Sequence, residues 1–86
     1  MAREIELIGL PTDAGASHRG AIMGPAALRV AEISRRLTRL GHTVSDRGDL
    51  LPPRGLAAAE EIAALSRIAS RAGYGSLQRG ALPIFM

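Results

Sequence analysis

With 86 residues the chain holds at most one small domain, and a chain of that size buries only about 60–65% of the surface its unfolded form exposes. The absence of cysteine excludes a disulfide framework and any thiolate metal site, and no window approaches the ~18 apolar residues that cross a bilayer. The net charge of +3 comes from eleven arginines and no lysine. These are spread along the whole chain without aromatic stacking platforms, so a nucleic-acid partner is not expected.

The apolar fraction of 47% is that of a globular protein. It consists mostly of Ala, Leu and Ile, with Tyr74 and Phe85 the only aromatics, so the core is built of small pieces. The N-terminal "MAREIELIGL" has an apolar patch interrupted by Glu6, which is not a signal peptide. A cytoplasmic chain without a membrane partner is the default expectation.

In chain order, residues 4–10 ("EIELIGL") read as a strand closed by Gly9-Leu10-Pro11. Residues 11–24 read as a loop, because of Pro11 and Gly15, Gly20 and Gly24. Pro25 suits a first helical position, where its missing N–H costs nothing. From there Val30, Ile33, Leu37 and Leu40 form one apolar stripe of a single helix, with Glu32 placed to pair with Arg36 one turn on. Gly41 stops that helix as a left-handed residue. Residues 43–45 read as a short strand running into the acidic loop that holds Asp46 and Asp49, and "LPPRG" (51–55) as a linker. A second helix is expected over about 56–72, with Gly73 as its stop, then a loop over 73–80 and a last strand in "ALPIFM".

The order β-α-β-α-β predicts an α/β fold with parallel strands joined by right-handed crossovers. Two crossover helices cannot cover both faces of three strands, whereas parallel sheets are normally covered on both. The chain alone is therefore expected to be molten, oligomeric, or folded only beside other segments.

Strand, glycine-rich loop and helix is how many phosphate cradles are built, but the chemistry does not fit here. Gly15 and Gly20 have the spacing of a P-loop but are followed by Ala21-Ile22, and no lysine exists to reach a phosphate. Gly15, Gly20 and Gly24 miss the dinucleotide spacing, and Gly73-Tyr74-Gly75 precedes a strand rather than a helix. His18 and His42 lack a second metal ligand at i+2 or i+4. Asp46 and Asp49 are read either as ligands of a hard cation or, more simply, as loop carboxylates that accept backbone N–H bonds. Ser17 and His18 are adjacent, with no third group to orient them.

Two readings stay open for Arg19 and Arg29. Each is a solvated or ion-paired side chain with Asp13, Asp46 or Asp49 in reach. Alternatively, an arginine of the first loop grips the acidic loop after the second strand, because parallel neighbours bring both loops to one sheet edge.

"IGLPTDAGASHRGAIMGPAALR" followed by "LGHTVSDRGDL" resembles the N-terminal segment of the ureohydrolases, and within them is closest to arginase. The pattern is IG-x-P, D-x-G, RG-x-x-x-GP-x-ALR and D-x-GDL, and it covers residues 5–50; "RGALPIFM" is similar to the family's third strand. The resemblance implies a three-layer α/β/α parallel sheet, of which residues 1–86 are the N-terminal, incomplete part of one domain. It implies Mn²⁺-assisted hydrolysis of L-arginine to L-ornithine and urea at a binuclear centre, in a homotrimer or hexamer. The family's first metal-binding motif, Gly-Gly-Asp-His, would follow Met86. None of the family's metal ligands therefore maps onto this sequence, and the 86-residue chain is expected to bind no Mn²⁺ and to be inactive. An agmatinase- or guanidinobutyrase-type member, or a stand-alone small α/β interaction module, are the alternatives. The candidate loop residues, taken as structural rather than catalytic, are Asp13, Gly15, Arg19, Gly20, Gly24, Pro25, Arg29, Asp46 and Asp49.

Overall fold

A computed structural model describes residues 2–16 and 20–86. Strand β1 (Glu4–Gly9) is followed by a 3₁₀ turn (Ala21–Met23) and two short helices, α1 (Gly24–Val30) and α2 (Ile33–Arg39). Strand β2 (Thr43–Asp49), the long helix α3 (Ala58–Gln78) and strand β3 (Leu82–Phe85) complete the order. The three strands form one parallel sheet in the order β2-β1-β3. The ladders continue past the strand ends through Leu50 N–H to the Gly9 carbonyl and Leu10 N–H to the Met86 carbonyl.

The central strand is buried by its neighbours and by a layer on each face. Ile5, Leu7 and Ile8 are at most 4% exposed, which is why "EIELIG" turns continuously apolar. Its alternate residues sort the helices. Glu6 bonds Ser76 of α3 and Arg79 at its C-cap, whereas the space above Gly9 is filled by Asp49 and by Arg29 of α1. Helices α1 and α3 therefore lie on opposite faces of the sheet, giving three layers. That is what right-handed crossovers require when the chain moves from β1 to one side and then past it to the other.

Three elements differ from the sequence expectation. The single helix from Pro25 to Leu40 is two helices, because Glu32 takes a left-handed conformation (φ 61°) between them. The Glu32 N–H bonds the Arg29 carbonyl as α1 closes, and the Glu32 carbonyl accepts from Arg36 N–H as α2 begins. The expected stripe is split accordingly: Ile33 and Leu37 are half-buried, while Val30 and Leu40 stand out at 84% and 73% exposure. Glu32 pairs with Arg35 at 3.5 Å rather than with Arg36, whose Nε donates to the Ala31 carbonyl.

The second strand is longer than residues 43–45 and carries Asp46 and Asp49 within it. The second helix does not stop at Gly73; it runs through Gly73 and Gly75 to Gln78, so the expected loop over 73–80 is mostly helix. Interior glycine costs about 1 kcal/mol relative to alanine, yet both positions lie against bulky groups. A Cβ on Gly73 would sit 3.2 Å from the Phe85 ring, and one on Gly75 would sit 3.3 Å from Arg79 Nη1. The left-handed stop is Gly80 (φ 75°), and Gly41 (φ 97°) does end α2.

Candidate functional site

The most densely connected polar group lies at the carboxyl ends of β1 and β2, the end of a parallel sheet where ligands and functional loops collect. Arg29, in the last turn of α1, reaches down onto β2. Its Nε and Nη2 donate to the two oxygens of Asp46 at 2.7 and 3.0 Å, and its Nη1 donates to Asp49 Oδ1 at 2.6 Å. One planar fork thus holds two carboxylates, the geometry that only a guanidinium supplies.

Residues three apart in a regular strand point to opposite faces. Asp46 and Asp49 point to the same one because β2 carries a bulge. Leu7 is in register with Asp46 and Gly9 with Asp49, so Arg47 and Gly48 together oppose Ile8. Gly48 takes φ 82° in the bulge, and its N–H donates to Asp46 Oδ1 at 2.8 Å. The spacing Asp-x-Gly-Asp is therefore a physical unit: the glycine permits the extra residue, and the extra residue turns the second carboxylate back towards the arginine. A Cβ on Gly9 would meet Asp49 Oδ1 at 2.0 Å, so only a residue without a side chain fits beneath the pair.

The Arg29 fork holds the Asp46 carboxyl below the usual carboxylate range, helped by the Gly48 N–H and opposed by partial burial. The same two carboxylates push the Arg29 guanidinium further up, so it is a permanent cation. With their oxygens turned onto a guanidinium, Asp46 and Asp49 form an internal ion-pair triad; a hard cation would have to displace Arg29 to reach them.

The rest of the first loop is arranged around Asp13. Its Oδ1 accepts from Gly20 N–H at 3.1 Å and Ile22 N–H at 2.7 Å, closing the loop onto the start of the 3₁₀ turn. Gly15 (φ 79°) passes against Ile62 of α3, and Gly20 takes φ 130°. Gly24 opens α1 in ordinary helical geometry, and Pro25 is buried in its first turn. Thr12 donates its hydroxyl to Glu61, tying the loop to the start of α3. Of the candidate residues, the structure brings Arg29, Asp46 and Asp49 together and leaves Asp13 with its glycines as a separate loop clasp. Arg19, Ser17 and His18 lie outside the described residues. His42 accepts the Arg3 N–H through Nδ1 at 3.1 Å. Among the described residues no three His, Asp or Glu side chains converge as a metal would require.

A second polar cluster was not anticipated. Glu6 is 8% exposed in the middle of β1, and Ser76, with no exposed surface, donates its hydroxyl to it at 2.5 Å. Arg79 grips the same carboxylate through Nη2 at 2.7 Å and Nε at 3.1 Å. These bonds, Arg79 foremost, pull the Glu6 carboxyl down to about 2. The signal in the sequence is a second Glu, Glu6, set between Ile5 and Leu7 inside the central strand, where a buried carboxylate demands a partner.

Comparison with known proteins agrees with this geometry. A sequence model described as "Arginase family" matches residues 3–86. The arginase of Bacillus subtilis (strain 168) is 46% identical over 50 residues, covering 58% of this chain and 17% of that protein. The arginase of Brevibacillus brevis is 42% identical over 50 residues, with the same coverage. A crystal structure of the arginase from Bacillus subtilis subsp. subtilis superposes on 96% of this chain and 30% of its own, with a TM-score of 0.80 and 31% identity. The chain thus spans less than a third of the length of these relatives, with the arginase α/β fold over the part that it covers. It belongs to the arginase family.

Proposed function

We propose that residues 1–86 are the N-terminal β-α-β-α-β part of one arginase-like ureohydrolase domain, and that they serve the hydrolysis of L-arginine to L-ornithine and urea as scaffold rather than as chemistry. The observation that carries this reading is the family match over residues 3–86. The Arg29–Asp46–Asp49 triad supports it, because its charges are satisfied internally and fix α1 against the carboxyl end of β2. A fixed carboxyl edge is what a site built on the next loops would need.

Mn²⁺ is the metal this reading implies for the whole enzyme. The described residues of this chain do not fit it: the one close carboxylate pair is held by a guanidinium, and no third ligand converges on it. The chain alone is read as inactive, in the cytoplasm, and as a contributor to a homotrimer or hexamer in the full assembly.

The test is a urea assay on the purified 86-residue chain with L-arginine and Mn²⁺. No urea above the protein-free control is expected. Sustained turnover would show that the chain carries its own catalytic centre.

A further inference from the structure

The face of the sheet away from Arg29 holds a cavity of about 230 Å³ that the scaffold role leaves unexplained. Its floor is Ile8 and Leu50, and one wall is Arg71, Ala72, Gly75 and Ser76 of α3 with Arg79 at the C-cap. The opposite wall is Arg47, the bulge residue of β2. Three arginines therefore line one concave space, a concentration of like charge that a fold tolerates only with counter-charge or solvent nearby.

Only part of that counter-charge is internal. Among the described residues no carboxylate lines this space: Glu6 is joined to it only through its pair with Arg79, and Asp46 and Asp49 are held by Arg29 on the other face. Arg79 is consumed by Glu6. Arg47 and Arg71 have no carboxylate partner among the described residues, although Arg47 is close enough to help hold Glu6 ionised. The cluster carries three positive charges against one negative charge, an excess of two. The spacing on α3 is also ordered: residues 71, 72, 75, 76 and 79 lie on one helical face. Gly75 keeps that face low enough for the Arg79 guanidinium to lie across it, since a Cβ there would approach Nη1 to 3.3 Å.

We propose that this cavity is a binding site for a small dianionic oxyanion of the phosphate class, gripped by the Arg47 and Arg71 guanidiniums, with Arg79 and Glu6 as its fixed base. A planar guanidinium presents paired N–H donors that match two oxygens of a phosphate, and a divalent anion balances the two unpaired charges. The anion is either free phosphate or the phosphate group of a small ester, because both offer the same three oxygens.

The experiment is a calorimetric titration of the 86-residue chain with inorganic phosphate, and separately with glycerol phosphate, in buffer matched for ionic strength with chloride. A saturable site with a Kd of about 1 mM or below is expected. The Arg47→Ala/Arg71→Ala double variant should weaken it at least tenfold, while Arg54→Ala, in the linker before α3, leaves it unchanged. Tighter binding of glycerol phosphate would identify an ester as the occupant, and equal or weaker binding would identify the free anion. No saturable heat up to about 20 mM of either probe would overturn the proposal. So would the same affinity in the double variant, or an equal loss in Arg54→Ala, which would mean diffuse attraction to a basic surface.

Discussion

At the scale of single residues, Arg29 is the position that holds α1 to the second strand. Its fork holds two carboxylates that would otherwise repel each other a few ångströms apart, and all three side chains are about a third exposed. Exposure screens the pair, so its worth is modest. Replacing Arg29 by lysine keeps the charge but loses the two-oxygen geometry, and a loss of about 1 kcal/mol in urea denaturation is expected. Arg29→Ala should cost more, about 1–2 kcal/mol, because the two aspartates then face each other unpaired. The sign with pH follows from Asp46, whose carboxyl is held below its ordinary value in the folded chain. The arginine's contribution is present above the unfolded aspartate range, near 3.9, and is lost as pH falls through the folded value. The gap between the parent and Arg29→Ala should therefore close in acid, and a constant gap would remove the electrostatic account.

At the scale of elements, the strands were legible in outline and the helices less so. The apolar run "EIELIG", the stop at Gly41 and the parallel order all follow from pattern and turn chemistry. The break between α1 and α2 was not visible, because Glu32 is an uncommon residue for a left-handed position and neither glycine nor proline marks it. The end of α3 was misplaced for the opposite reason. Gly73 looks like a helix stop and Gly75 like loop, but both lie inside the helix, against Phe85 and Arg79.

The clamp was half legible. Parallel strands put an arginine and two aspartates at one edge, while the bulge that aligns the aspartates came from a glycine whose conformation only the backbone reveals. The Glu6–Ser76–Arg79 cluster joins residues some 70 positions apart, a distance across which spacing carries no information. That cluster ties α3 to β1, and it should show in acid. Glu6 falls from an ordinary 4.5 to about 2 on folding. Its contribution is complete above pH 4.5 and disappears as pH falls towards 2, which amounts to about 1–2 kcal/mol after screening at the half-exposed Arg79. Thermal melts across that window should show the loss, and Glu6→Gln should flatten it. An unchanged slope in the variant would assign the acid sensitivity elsewhere.

For the whole molecule, area and shape both point to surfaces made to be covered. A monomer of 9.0 kDa exposes about 4,900 Å², whereas this chain exposes 5935 Å². Its radius of gyration is 13.8 Å, against about 12 Å for a compact chain of this length. Large apolar side chains are among the exposed groups: Tyr74 and Leu77 on α3 are 65% and 62% exposed, and Phe85 on the edge strand β3 is 41% exposed. Exposed apolar patches and an unpaired strand edge favour association. The isolated chain should therefore sediment as an oligomer or melt over a broad range, and a monomer with a sharp cooperative transition would contradict that expectation.

The proposed scaffold role implies a separation from the catalytic centre, and it is supported by the close carboxylates of the described residues being committed to an arginine, a hydroxyl or a backbone N–H. The most direct measurement of that separation is the electron paramagnetic resonance signal of free Mn²⁺ during titration into the purified chain. The signal should grow in proportion to added metal from the first aliquot. A stoichiometric loss of signal, above all with two ions taken up per chain, would show that a metal centre is already present in these 86 residues.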